Sequence, residues 1–318
     1  MSRDTLLPAA VTEEQFLAVH QDEELLRPGV VELVGRLGLR GLGVERFSDG
    51  SLPVYAVGDR HVLKLYPDVY RREHFEVESD VLQVVRGRLP IPTPEVERAG
   101  EFEGWSYVLM SRLPGESLAT AWPGIPERDR EGLADVLGET LAALHAVPSP
   151  EVGSLGPPDW QGFLRDQREK CVAHHRADGL DEVWLAQIPD FLDSVTLPPS
   201  PPVLLHTEVM REHLRVTRGP GGWRLSGLFD FEPAMLGARE YEFVAVGLFV
   251  SCGEGNLLRR LMIAYGYDPT DLDEALQRRL LAYTLLHRYS SLDWYLTRLP
   301  APPDPTLGSL AACWWALH

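Results

Sequence analysis

The sequence is poor in cysteine, in positive charge and in long apolar runs, and each shortage excludes something. Three cysteines occur in 318 residues, Cys171, Cys252 and Cys313, and they form no close-spaced motif. They are expected to be reduced and mostly buried, as in a cytoplasmic protein. Lysine and arginine number 30 against 47 aspartates and glutamates, a formal net charge of −17. That balance argues against a nucleic-acid binder. It suits a cationic substrate, although acidic solubility is the commoner cause. The longest apolar run, Phe243 to Val250, is far too short to span a bilayer, so no membrane partner is expected. The opening Met1-Ser2-Arg3-Asp4 lacks the apolar core of a signal peptide. There is no repeat and no low-complexity tail. What is there is an apolar content ordinary for a globular protein, in a chain long enough for one large or two medium domains. A monomer or homodimer is expected.

In chain order, Thr12-Glu13-Glu14-Gln15 is a capping box and predicts a short helix. Pro28 is expected to begin a second apolar helix through Leu37, ended by Gly38 and Gly41. Leu42 to Phe47 and Pro53 to Val57 read as strands around the turn Ser48-Asp49-Gly50-Ser51. Such a turn can aim backbone N–H groups at phosphate oxygens, and is more often a plain hairpin. His61 to Tyr66 is a strand that puts Lys64 on one face with Val62 and Tyr66. Between Arg71 and Arg86, Phe75, Leu82 and Val85 form an apolar stripe at helical spacing, and Glu78 falls on it. A carboxylate on a core face is costly unless paired, so a Lys64–Glu78 ion pair is the simplest solution. The alternative is that Glu78 sits at the edge of the stripe and reaches water.

Tyr107 to Ser111 reads as the last strand of the small sheet, broken by Arg112-Leu113-Pro114-Gly115. Beyond Arg112 the pattern turns helical. Helices are expected over Pro126 to His145, Trp160 to Arg176, Asp181 to Ile188, Thr270 through Leu296 with Thr270 as cap, and Leu307 to Trp315. Asp159, Asp166, Glu169, Asp181 and Glu182 can line a site for amines, although a solvated face is the commoner reading. His174-His175 near Cys171 is discounted as a metal site, because adjacent helical residues point in different directions.

The chemistry gathers late in the chain. Leu204-Leu205 runs as a buried strand into His206-Thr207-Glu208, then come His213-Leu214-Arg215-Val216, a glycine-rich turn, and a strand ending at Phe229-Asp230. Two strand-end carboxylates invite a metal or a proton transfer, while an isolated pair is more often two solvated loop acids. Here the spacing matches a kinase catalytic loop followed by its metal-binding Asp.

On these residues the sequence resembles the aminoglycoside phosphotransferase family, a branch of the protein-kinase-like fold, with hygromycin-type phosphotransferases nearest. The likeness runs from about Phe47 to Trp294 and includes Phe75-Glu76-Val77-Glu78 and Leu89-Pro90-Ile91-Pro92. It implies an α+β, two-lobed fold with a small antiparallel-sheet N-lobe and a mainly helical C-lobe. The expected divisions are 1–40 for N-terminal helices packed on the lobes, 41–112 for the N-lobe and 113–318 for the C-lobe. The implied reaction moves the γ-phosphoryl group of ATP or GTP to a hydroxyl of a small molecule, an aminoglycoside or related amino sugar or polyol, with Mg²⁺ as cofactor. The nucleotide is expected between the lobes.

The resemblance also distributes roles. Ser48, Gly50 and Ser51 would cover the nucleotide, and Met110 and Ser111 would enter the hinge that bonds the base. Lys64 would hold the phosphates and Glu78 would hold Lys64. Asp230 would bind Mg²⁺, with His213 at a second metal position. Glu208 would orient the acceptor hydroxyl and take its proton late, and His206 would pack the loop. Glu240, Glu242 and Asp293 join Glu208 as substrate residues.

The loop departs from the family's His-Gly-Asp-x-x-x-x-Asn, reading His206-Thr207-Glu208 through His213. Glutamate is one methylene longer than aspartate, and a misplacement of roughly 1 Å can cost about 10²-fold in rate. An imidazole nitrogen suits Mg²⁺ poorly. The competing class is therefore a nucleotide- or metabolite-binding pseudokinase. A hydrolase finds neither a nucleophile elbow nor a metal triad.

Overall fold

The computed structural model describes residues 5–48, 50–152 and 155–317. Its contacts divide the chain into two compact units. Unit 1 takes Met1–Arg86, Pro92–Pro114 and Phe229–Pro233; unit 2 takes Gly87–Ile91, Gly115–Leu228 and Ala234–His318. The first helices thus fall within unit 1, and five residues after the last long strand return to it.

Unit 1 is built on five antiparallel strands, β1 (Val44–Arg46), β2 (Val54–Val57), β3 (His61–Pro67), β4 (Val96–Phe102) and β5 (Trp105–Ser111), in the order β1-β2-β3-β5-β4. Tyr107–Ser111 lies in the sheet's last strand in the chain, as expected, and that strand sits inside the sheet between β3 and β4. The edge is β4, whose exposed Glu97, Arg98 and Glu101 hide any apolar alternation. β3 is central and buried on both faces: Leu63 and Leu65 on one, Lys64 and Tyr66 on the other.

Helix α1 (Glu13–Val19) starts where the capping box predicts, with the Thr12 hydroxyl accepting from the Gln15 N–H. Helix α2 (Glu23–Arg36) starts five residues before Pro28, contrary to the sequence expectation. Asp22 caps it by accepting from the N–H groups of Glu24 and Leu25, and Glu23 and Glu24 complement its dipole. Pro28 lies inside, where it removes one hydrogen bond. A π-helical turn, Arg71–Glu76, leads into α3 (Val77–Val85). Val81, Leu82 and Val85 of α3 are buried, and Glu78 is buried with them.

Unit 2 holds two small sheets and most of the helices. β6 (Glu116–Ser117), β8 (Leu214–Gly219) and β9 (Gly222–Leu228) form one antiparallel sheet, and β7 (Val203–Leu205) pairs with β10 (Met235–Gly237) in the other. The tight end of the β8–β9 hairpin needs Gly222 at φ +104°, and the Asp129 carboxylate accepts the Trp223 N–H there. The helices are α4 (Leu118–Ala121), α5 (Glu127–His145), α6 (Trp160–Ala177), α7 (Glu182–Leu185), α8 (Ile188–Ser194), α9 (Arg239–Ala245), α10 (Gly255–Tyr265), α11 (Glu274–Leu285), α12 (Leu292–Arg298) and α13 (Leu307–Trp314). α5 and α10 approach closely at Gly138, where a Cβ would meet the Leu261 carbonyl at 2.3 Å.

The long helix expected from Thr270 to Leu296 is two helices. Asp268 caps a short turn that contains Thr270, Asp273 caps α11, and α12 starts afresh at Leu292. In the intervening turn the Ser290 hydroxyl donates to the Thr284 carbonyl, a bond that competes with helix continuation. Of the thiols, Cys171 is buried while Cys252 and Cys313 are half-buried, fewer than expected. No helix among the described residues is long and apolar enough to cross a membrane.

Candidate active site

The whole chain contains two lysines, and one of them, Lys64, is buried at the centre of β3. Its Nζ lies 2.8 Å from Glu78 Oε2 and 2.6 Å from Asp230 Oδ1, and it also bonds Glu232. The sheet register delivers Lys64 to this face, and the α3 stripe delivers Glu78 above it. The Tyr66 hydroxyl donates to the same Glu78 oxygen, and the Phe231 N–H donates to the other at 3.3 Å. All these groups belong to unit 1.

One ammonium among three carboxylates leaves a formal excess of negative charge. Burial works against the Lys64 charge, but Asp230, Glu232 and Glu78 more than reverse it, and the lysine pKa lies well above its ordinary value. Burial raises the Glu78 carboxyl, Lys64 pulls it back, and Asp230 and Glu232 add to the rise. Asp230 is held at φ +72°, a left-handed conformation that Asp tolerates better than most residues. Oxygens of Glu78, Asp230 and Glu232 lie within 4.8 Å of one another. Clustered carboxylates are hard oxygen donors, the type that Mg²⁺ requires. His74 Nδ1 stands 3.4 Å from Glu232.

Glu232 was not foreseen as a site residue. The signal lay in its position two residues after Asp230, across a fully buried Phe231. Ser48, Gly50 and Ser51 lie between β1 and β2, with Gly50 at φ +112°; Asp49 lies outside the described residues. Met110 and Ser111 end β5. The Ser111 N–H donates to the Glu95 carbonyl, so this backbone position is already paired within the unit.

Unit 2 carries the loop after β7. Glu242, on α9, is fully buried and accepts the N–H of His206 at 2.6 Å and of Thr207 at 2.9 Å. Thr207 sits at φ +70°, where the family pattern has glycine. A β-branched residue there is strained by about 1–3 kcal/mol, and two bonds to one carboxylate are what hold it. The next residues brace one another. The Glu208 N–H donates to His206 Nδ1 at 3.3 Å, and His213 Nδ1 donates to the Glu208 carbonyl at 2.8 Å. His213 thus spans the loop. Beneath it, His287 stacks on Tyr241 at 4.5 Å, and its Nδ1 accepts the Tyr289 N–H. Burial, and then the Arg288 charge, lower the His287 pKa to about 3, with a hydrogen bond to the Thr207 backbone opposing.

Glu208 lines a pocket of about 180 Å³ with Met210, Phe249, Tyr289, Trp294 and Tyr295 among its walls. The other acids assigned to substrate are elsewhere. Glu240 is gripped by Arg279 through two bonds of 2.9 Å. Both Glu242 oxygens are taken by the loop backbone, so it positions Glu208 and does not face a ligand. Asp293 is half-exposed on the first turn of α12 and does not line the pocket.

The antiparallel sheet with its buried strand lysine, followed by the mainly helical part, defines a kinase-like α+β fold. The chain belongs to the phosphotransferase enzyme family, whose profile matches residues 43–277. A similar solved structure is the GDP complex of wild-type aminoglycoside 2'-phosphotransferase-IIIa, at 18% identity and TM-score 0.70, covering 83% of this chain and 89% of that one. Another is the macrolide 2'-phosphotransferase MphH from Brachybacterium faecium, at 18% identity and TM-score 0.61, covering 86% and 99%. Among curated sequences, a subtelomeric hrmA-associated cluster protein of Aspergillus fumigatus is 28% identical over 220 residues, 67% of this chain. The chain spans 36% of that relative's length.

Proposed function

We propose that the protein transfers the γ-phosphoryl group of ATP or GTP to a hydroxyl of a small molecule. Lys64 would contact the donor phosphates, with Glu78 and Tyr66 fixing its ammonium. Asp230 and Glu232 would hold Mg²⁺, which would supply positive charge beside the transferring group. Glu208 would accept a hydrogen bond from the acceptor hydroxyl. As the acceptor oxygen bonds to phosphorus, the bond from phosphorus to the bridging oxygen breaks. The hydroxyl proton passes to Glu208 and the nucleoside diphosphate leaves.

The observation that carries this reading is the Lys64 cluster. A lysine buried with three carboxylates is poor structural economy, since a buried charge set is often no more stable than an apolar one. It makes sense where the charges have something to bind. The family membership supports the reaction type, and the GDP bound to a similar enzyme supports the donor. Aminoglycosides and related amino sugars or polyols are the acceptors the resemblance puts first. Hygromycin-type acceptors and a part in antibiotic resistance rest on the sequence resemblance, which runs from about Phe47 to Trp294. A cytoplasmic setting rests on the three free thiols.

One observation favours the pseudokinase reading: three carboxylates around a single lysine oppose an incoming triphosphate. Both readings meet one test. Diphosphate release is measured with Mg²⁺ over a panel of aminoglycosides, macrolides and simple cyclic alcohols, beside calorimetric nucleotide binding. Acceptor-dependent release, lost in Asp230→Asn, is the expected result. Nucleotide binding without release on any acceptor would establish the pseudokinase, and no binding at all would overturn both readings.

A further inference from the structure

We propose that the pocket beside Glu208 takes a neutral, single-ring alcohol and selects against polycationic aminoglycosides. The inference deepens the phosphotransfer reading, and rests on it for the role of Glu208.

Size comes first. A closed cavity of about 150 Å³ holds one benzene ring, so the roughly 180 Å³ of this solvent-open pocket seats about one six-membered ring beside Glu208. Charge comes second. Among the described lining residues Glu208 is the single carboxylate. One carboxylate offsets one ammonium at most, so a second ammonium would meet Met210, Phe249 and Tyr295. Of the other acids assigned to substrate, Glu240 is held by Arg279, Glu242 is held by the loop backbone, and Asp293 lies outside the pocket lining.

The wall is the third observation. Phe249, Trp294 and Tyr295 have ring centroids 5.7–5.9 Å apart, so they touch and leave no slot for an ammonium between them. They form a continuous surface and not a cage. At the rim, Trp294 and Tyr289 are 42% and 46% exposed. Each ring carries a guanidinium over one face, Arg298 on Trp294 and Arg288 on Tyr289, each at 4.7 Å. A polycation would approach two arginines to gain one carboxylate. A ring with an apolar face would cover exposed aromatic surface and keep its hydroxyl for Glu208.

The test compares a cyclohexanetriol with 2-deoxystreptamine, the same ring carrying two ammonium groups, and with kanamycin. Binding is followed by calorimetry on the whole chain, and diphosphate release is followed separately. The triol is expected to bind at least 10-fold tighter than deoxystreptamine, with kanamycin weaker still. Trp294→Ala should weaken triol binding about 10-fold, and Tyr289→Asp, which adds a rim carboxylate, should narrow the gap. Equal or tighter binding of deoxystreptamine or kanamycin overturns the proposal, as does no binding of the triol. If the triol binds as expected but no acceptor supports release, the pocket inference stands and the phosphotransfer reading falls.

Discussion

Replacing Glu242 with Gln tests whether a buried carboxylate sets the geometry of the loop. Glu242 accepts two backbone N–H bonds, from His206 and Thr207, with no exposure to solvent. An amide keeps one acceptor and turns a donor toward the other N–H. Losing one charge-assisted bond and burying an opposed donor should cost about 2–4 kcal/mol. Thr207 returns part of this, because its left-handed strain of about 1–3 kcal/mol is released once the loop relaxes. The net loss of stability should therefore be only about 1–2 kcal/mol, while kcat falls about 10²-fold as Glu208 moves by roughly 1 Å.

A second background sharpens the test. In Thr207→Gly there is no strain to release, so Glu242→Gln should cost the full 2–4 kcal/mol or so. Glycine keeps the left-handed loop without help, so kcat should fall less than about 10-fold. Stability and rate are thus predicted to move in opposite senses between the two backgrounds. Urea midpoints and single-acceptor kinetics on the four proteins measure both. If Glu242→Gln matches the parent in midpoint and rate, or if its effects are identical in the two backgrounds, the loop is not held in this way.

Three further outcomes are expected. Lys64→Met should abolish nucleotide binding and cost about 3–5 kcal/mol at pH 7, because the buried Glu78 and Glu232 and the half-buried Asp230 lose their cation. Burial raises the Glu78 pKa and Lys64 pulls it back, so without Lys64 this cost should shrink as pH falls and the carboxylate protonates; a pH-independent loss by urea titration would contradict it. His287, with its folded pKa near 3, should confer stability that is present above pH 6.5 and lost as pH falls toward 3. The loss is up to about 5 kcal/mol, and His287→Gln should flatten that acid limb; an unchanged limb would rule His287 out as its source. Glu208→Asp should lower kcat with little change in midpoint, since the loop is built for the longer acid; a faster enzyme would show that it is not.

The parts legible from sequence were those with a local period. Lys64 between apolar neighbours, and Glu78 on the α3 stripe, declare a buried pair because each sits on a face that periodicity identifies. The pair forms as expected, at 2.8 Å. Glu232 is marked only by its place two residues after Asp230, because its partner Lys64 lies 168 positions earlier in the chain and no periodicity links them. Glu242 was misread for a related reason. The resemblance puts a substrate residue there, and nothing in Arg239-Glu240-Tyr241-Glu242 reveals that the Glu242 carboxylate accepts from backbone donors three strands earlier in the chain. β4 escaped notice because an edge strand need not alternate. α2 begins at Glu23 and not at Pro28 because Asp22 caps its first turn, and the helix carries Pro28 in its interior. The α11–α12 break hides in a run whose apolar spacing continues past it, and only the Ser290 bond to Thr284 marks the stop.

The scarcity of lysine has a practical consequence. Lys64 is enclosed and held protonated by its neighbours, whereas Lys170, on α6, is exposed. An acylating reagent attacks only the unprotonated amine, so of the two side-chain amines Lys170 should be modified and Lys64 spared. The modification of Lys64 then becomes a gauge of its surroundings. Any event that loosens the carboxylate grip or admits solvent to β3 will register as one acyl group beyond those on Lys170 and the α-amine. With so few amines, a single intact-mass measurement can count it.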